Sequence, residues 1–195
     1  MNSLAPRLVR TGLDAAYLGV GLATSVLAFG VWVACVTASL SLAVFVVGLP
    51  VMLLSAYAFR ATAELDRLNA ALVLGRPLRG RYRNHYSHGF FGRLRATLTD
   101  PQTWKDLLWL VAHSVIGFGF GVVAVSLVAS VLGLAVLPLW YWAIPDGVQI
   151  GLWTVDTLWE ALVTAPLALP LGLLTAALLR GMARVHAALA RSLLA

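Results

Sequence analysis

Charge is scarce in this sequence of 195 residues: eight acids and fourteen bases make up only 11% of the chain, against about 25% in ordinary soluble domains. Hydrophobic residues fill 61% of it, and the mean hydropathy is +0.88, which excludes a soluble globular fold. Cysteine is nearly absent. Cys35 stands alone inside an apolar run, so there is no intramolecular disulfide and no zinc site built on cysteine pairs, and the thiol reads as buried and inert. Enzyme signatures are missing too: no glycine-rich phosphate loop, nucleophile elbow or zinc-protease histidine pair occurs. No catalytic residue, metal or cofactor is therefore expected.

Where charge is present it is placed in blocks. No charged residue occurs from Ala15 to Phe59, a run of 45 residues. One bilayer crossing needs about 20 apolar residues, so this run holds two, with a turn near Thr37, Ser39 and Ser41. It is too long for the apolar core of a cleaved signal peptide. Residues 60–74 change to an amphipathic pattern, with Ala61, Leu65, Leu68 and Leu72 on one face and Arg60, Glu64 and Arg67 on another. Gly75 and Pro77 close that helix. From Arg76 to Arg95 come six arginines, two histidines and no acid. Asp100-Pro101 then starts a helix, with Asp100 as cap. Leu107 to Pro145 is uncharged for 39 residues and Ala161 to Leu179 for 19. Between them, Asp146, Asp156 and Glu160 stand without a base. The tail from Arg180 is amphipathic, with Arg180, Arg184 and Arg191 opposite Met182, Val185, Leu189 and Leu193.

Four crossings put all 14 bases on one side, which the positive-inside rule makes cytoplasmic. The expectation is an all-α integral membrane protein of the plasma membrane, both termini cytoplasmic. Its parts are a 1–14 N-terminus, a 15–59 hairpin, a 60–106 basic loop with amphipathic helices, a 107–179 hairpin and a 180–195 tail. The halves also align with each other. Ser25-Val26-Leu27-Ala28-Phe29-Gly30 resembles Ser114-Val115-Ile116-Gly117-Phe118-Gly119, and Leu49-Pro50-Val51-Met52-Leu53-Leu54 resembles Leu169-Pro170-Leu171-Gly172-Leu173-Leu174. The offsets are 89 and 120, so the second copy carries a 31-residue insertion, about residues 139–168, on the outer side. The four helices thus read as two tandem parallel hairpin repeats, each ending in an amphipathic cytoplasmic helix.

Candidate sites follow from these blocks. Arg76, Arg79, Arg81, Arg83, Arg93 and Arg95 are the contacts expected for anionic lipid of the inner leaflet or for a protein partner. Nucleic acid is not expected, because no recognition motif accompanies the charge. His85 and His88 read as solvated loop residues. His113 is an ionisable group inside an apolar run, which makes it a sensing candidate as well as a packing one. Asp146, Trp153, Asp156, Trp159 and Glu160 form an acidic, aromatic outer cap, a second sensing candidate. Trp104, Trp140, Tyr141 and Trp142 are placed as interfacial anchors. The small-residue faces at Gly19, Gly21 and Gly117, Gly119, Gly121 allow close packing within the bundle or in a homodimer.

Several of these stretches resemble the sensor domain at the N-terminus of many actinobacterial two-component histidine kinases. The resemblance lies in Gly92-Arg93-Leu94-Arg95, Asp100-Pro101-Gln102-Thr103-Trp104-Lys105-Asp106-Leu107, Leu137-Pro138-Leu139-Trp140-Tyr141-Trp142 and Gly48-Leu49-Pro50. It covers about residues 12–194 and implies a four-helix input module whose last helix passes a signal to a cytoplasmic kinase domain or another effector. His186 is not the phospho-accepting histidine of such a kinase, since Ala-Ala-Leu-Ala follows it in place of an acid. Two other readings stand beside the sensor: an accessory membrane protein recruiting a partner through the basic loop, and a transporter subunit. Spans with almost no ionisable groups speak against the transporter.

Overall fold

The computed structural model describes residues 4–42, 48–76, 78, 80, 82, 89–151 and 153–194. Four long or medium helices build it: α1 (Leu4–Leu42), α2 (Gly48–Leu74), α4 (Pro101–Ala135) and α7 (Ala168–Leu194), with a nine-residue α3 (Phe90–Leu98) before α4. Local sequence explains their ends. α2 stops where Gly75 takes φ 65 and returns its N–H to Ala71, a conformation that glycine adopts without strain. α4 starts as expected: Asp100 accepts the Gln102 N–H and Pro101 occupies the first turn. Three stretches are long and apolar enough to cross a membrane: Val9–Leu42, Pro101–Ala135 and Leu158–Leu194. α2 is not one of them. It carries Arg60, Glu64, Asp66 and Arg67, and the apolar residues 43–47 before it lie outside the described residues.

Contacts fix the helix directions. Gly121 of α4 sits so close to α1 that a Cβ there would meet Leu22 Cα at 2.9 Å. Further along, Trp32 donates to Ser114 at 3.3 Å, and Ser39 and Leu40 share a cavity wall with Thr103 and Leu107. Rising numbers on α1 meet falling numbers on α4, so the two run antiparallel. α1 and α2 are antiparallel as well, through Ser39–Ser55 at 3.1 Å and Asn69 to the Tyr17 carbonyl at 3.3 Å. Two hairpins entering from one side would have α1 and α4 parallel. This bundle therefore does not have the geometry of tandem parallel repeats, because the glycine notch at Gly121 and the polar pairs along α1 join those helices in the opposite sense. The end of α1, the starts of α2 and α4, α3 and the end of α7 gather at one end of the bundle.

The burial of α2 is inside out. Its leucines face outward, with Leu65, Leu68 and Leu72 about half exposed or more, while Thr62, Asp66, Arg67 and Asn69 are buried. A soluble amphipathic helix does the reverse. Where the surroundings are lipid, polar side chains find partners only inside the bundle. α7 repeats the lesson more mildly: Leu179, Ala183, His186, Ala187, Ala190 and Leu194 are buried, whereas Val185 is 53% exposed. Small alanines let α7 approach its neighbours closely.

The insertion expected at about residues 139–168 has a small core of its own. Leu137, Val155 and Ala161 are fully buried there, with Trp140, Tyr141, Val148 and Ile150 packed against them. A four-residue helix α5 (Leu137–Trp140) leads to an antiparallel pair, β1 (Val148–Ile150) and β2 (Trp153–Val155), and then to α6 (Leu158–Thr164). The described chain is mostly helical, as expected, and these two three-residue strands are an addition to that reading. Val148, Ile150 and Val155 supply the β-branched side chains, and Gly147 and Gly151 take positive φ beside the strands. Thr157 and Glu160 form a reciprocal capping box at the start of α6.

Candidate functional site

Beside the second half of α7, a chain of polar side chains joins four helices. Tyr17 Oη of α1 lies 2.6 Å from His186 Nδ1 of α7. His186 Nε2 lies 2.9 Å from His113 Nδ1 of α4. His113 Nε2 reaches Thr24 Oγ1 of α1 at 2.9 Å and approaches Asp66 Oδ1 of α2 at 3.5 Å. Trp109 closes the chain by donating its indole N–H to Asp66 Oδ2 at 2.8 Å, and its ring stacks on His113 at 5.1 Å. Each member from Tyr17 to Trp109 except Thr24 is at least 97% buried.

One arrangement of protons satisfies the links from Tyr17 to Thr24 with both histidines neutral, and leaves Asp66 Oδ1 without a hydrogen bond. Tyr17 O–H donates to His186, His186 Nε2–H donates to His113, His113 Nε2–H donates to Thr24, and the Thr24 hydroxyl donates to the Gly21 carbonyl at 3.3 Å. A further proton on His113 would set N–H against N–H unless the His186 tautomer reversed. The chain is thus directional, and a proton or a broken link at one member changes the partner of the next.

A second cluster lies beside the first. Arg67 of α2 is 1% exposed and gives every nitrogen a partner: Nη2 to Asp106 at 2.8 Å, Nη1 to Glu64 at 3.0 Å and Tyr82 Oη at 2.9 Å, and Nε to the Leu194 carbonyl at 3.1 Å. Tyr82 O–H donates to Asp106 at 2.7 Å and Gln102 adds a bond to the same carboxylate at 3.1 Å. Gly80 crosses the guanidinium so closely that a Cβ would lie 2.7 Å from it. Burial, then the Asp106 hydrogen bond, pushes the Tyr82 phenol up to about 12. The basic loop, α2, α4 and the last turn of α7 therefore meet on one arginine. Arg60 stands nearby, bonded to Asp100 at 3.3 Å and Thr103 at 2.9 Å, with its guanidinium over the Tyr82 ring.

Of the residues expected from the sequence, His113 is in the chain. The outer-cap residues are elsewhere: Glu160 accepts the Asp156 and Thr157 N–H groups, which is a capping role, while Asp146, Trp153 and Trp159 are exposed. Arg76, Arg93 and Arg95 are exposed, and Arg79, Arg81, Arg83, His85 and His88 lie outside the described residues. The anchor indoles bond to nearby carbonyls: Trp104 to Leu98, Trp140 to Gly133 and Trp142 to Leu139; Tyr141 is half-buried against the insertion's core. Sequence reasoning missed Tyr17, Thr24, Asp66, Trp109 and His186 as a group, and with them Arg67, Asp106 and Tyr82. The one usable signal was the polar face of residues 60–74 beside a bilayer, where polarity points inward.

Residues 17–194 match the model of a protein family described as "Putative sensor". No curated protein and no solved structure matches the chain.

Proposed function

Because the chain belongs to this sensor family, we propose that it is a membrane-embedded signal-input domain whose last helix, α7, passes the state of the bundle to a cytoplasmic effector of the histidine-kinase type. The observation that carries this reading is the hold on α7. Its buried surface is mostly small and apolar, and His186 and the Leu194 carbonyl tie it by hydrogen bonds to other helices, each joined to a different buried cluster, while Arg180 and Arg184 stand near Asp14 of α1. Breaking either link frees the helix end that would lead into an effector. In this reading the chain performs no reaction itself.

Input has two candidate entries, the exposed outer cap and the histidine pair. A ligand or proton must bind the two states of the bundle unequally to shift them. The test is a fusion of a histidine-kinase catalytic region in helical register after Ala195, assayed for autophosphorylation in membranes. His186→Leu and Tyr17→Phe should each change output about fivefold or more, since 1 kcal/mol of bias is already roughly a factor of five. Unchanged output, with normal insertion, would leave the accessory reading, in which the basic loop recruits a partner.

For the topology, two observations pull apart. The uncharged run from Ala15 to Phe59 supports four crossings with both termini cytoplasmic. The antiparallel packing of α1 on α4 supports three, with the start of α1 on the outer side and α2 running back along α1 until Asn69 lies beside Tyr17. In either case α3, the start of α4 and the α7 tail share the cytoplasmic side. We favour three crossings, because the buried polar face of α2 needs the bundle interior around it.

A further inference from the structure

Between α1, α2, α3 and the start of α4 lies a cavity of about 280 Å³, walled by Leu40, Met52, Phe59, Leu98, Trp104 and Leu107, with Ser39 and Ser55 bonded to each other across it at 3.1 Å. It lies at the end of the bundle where α3 meets the start of α4. Exposed bases stand on the two elements that supply part of its wall: no described carboxylate lies within ion-pair distance of Arg93 and Arg95 of α3 or Lys105 of α4, since every ion pair among the described residues uses Arg60, Arg67 or His113. All three bases are exposed, and so are Phe91, at 71%, and Trp104, at 58%. α3 buries only Leu94 and Thr97 and turns its aromatic and basic residues outward.

We propose that this cavity and its three bases form a binding site for an anionic phospholipid, with one acyl chain in the cavity and the phosphate against Arg93, Arg95 and Lys105. The apolar wall matches a hydrocarbon chain and not a polar solute. The bases match a phosphate, since cationic side chains at a membrane surface attract anionic headgroups. The Phe90–Phe91 pair and Trp104 sit at the level where aromatic rings meet headgroups. The site extends the sensor reading without depending on it, because lipid capture is measured with no effector present.

The experiment uses the full chain, stripped of lipid in detergent and titrated with dioctanoyl phosphatidylglycerol, dioctanoyl phosphatidylcholine and glycerol phosphate, with adducts counted by native mass spectrometry. Phosphatidylglycerol should bind about tenfold more tightly than phosphatidylcholine, and glycerol phosphate should fail to compete. The triple variant Arg93→Gln, Arg95→Gln, Lys105→Gln should lose that preference. Leu40→Trp, which fills the mouth from an exposed position, should weaken both lipids alike while circular dichroism stays unchanged. Equal binding of the two lipids, retention of the preference by the triple variant, or indifference to Leu40→Trp would each overturn the proposal. Competition by glycerol phosphate would do so too, by showing a bare anion site.

Discussion

At the scale of single residues, the ties on α7 differ in kind. The histidine pair is neutral and directional, so losing a member leaves a buried acceptor without its donor. Tyr17→Phe strips His186 Nδ1 of its partner, and about 1–3 kcal/mol of stability should go with it, read by thermal unfolding in detergent. The Arg67 cluster is ionic. Replacing Asp106 by Asn alone leaves a buried guanidinium short of its counter-charge, at about 3–5 kcal/mol, whereas the paired change Arg67→Met with Asp106→Leu should recover most of that loss. Tyr82 adds a pH signature. Its phenol ionises near 10 when unfolded and near 12 in the fold, so its contribution is complete below pH 10 and disappears as pH rises through 12. The alkaline loss of stability should therefore be steeper in the native chain than in Tyr82→Phe; parallel curves would remove Tyr82 from the account.

At the scale of elements, much was legible and one rule misled. The caps of α4 and α2 followed from Asp100-Pro101 and Gly75, because capping is local chemistry that does not depend on what surrounds the helix. The inward face of α2 did not follow. Its hydrophobic period was clear, but which face turns inward depends on whether the surroundings are water or lipid. A cysteine placed at Leu68 in a Cys35→Ser background should be reached by a spin label on a lipid acyl chain. Reach by a water-soluble reagent instead would return α2 to the cytoplasm. The β1–β2 pair was missed for another reason: six strand residues between tryptophans and glycines are too few to show a period. Its neighbour α6 depends on the capping box, and Thr157→Ala should cost about 1 kcal/mol, seen as faster hydrogen exchange over Leu158–Thr164 and not elsewhere.

At the scale of the whole molecule, composition alone established a membrane protein, since three helices are long and apolar enough to span. Pairing between helices was beyond it. His113 could be singled out as a lone ionisable group in an apolar run, but its partners sit 89 positions before it in Thr24 and 73 after it in His186. Nothing local connects those three. The internal alignment likewise compared segments rich in leucine, valine and alanine, which many packings accommodate, so likeness of sequence did not fix direction. The side on which residue 4 emerges separates the two topologies: a protease applied to sealed right-side-out vesicles should remove an N-terminal tag if α1 crosses antiparallel to α4, and should spare it if four helices cross.

The claim on which the rest depends is that a polar chain holds the end of α7 to α1. Spin labels at Leu27→Cys of α1 and Val185→Cys of α7, both exposed positions, in a Cys35→Ser background, report that hold directly as a distance distribution in lipid nanodiscs. One narrow distribution is predicted for the otherwise native chain. With His186→Leu added, the distribution should broaden or shift by several ångströms, on the order of the one-turn and sub-turn helix movements that carry signals in other bundles. Superimposable distributions from the two proteins would contradict the account, and α7 would then be held by its alanine packing and the Arg67–Leu194 bond without the histidine chain.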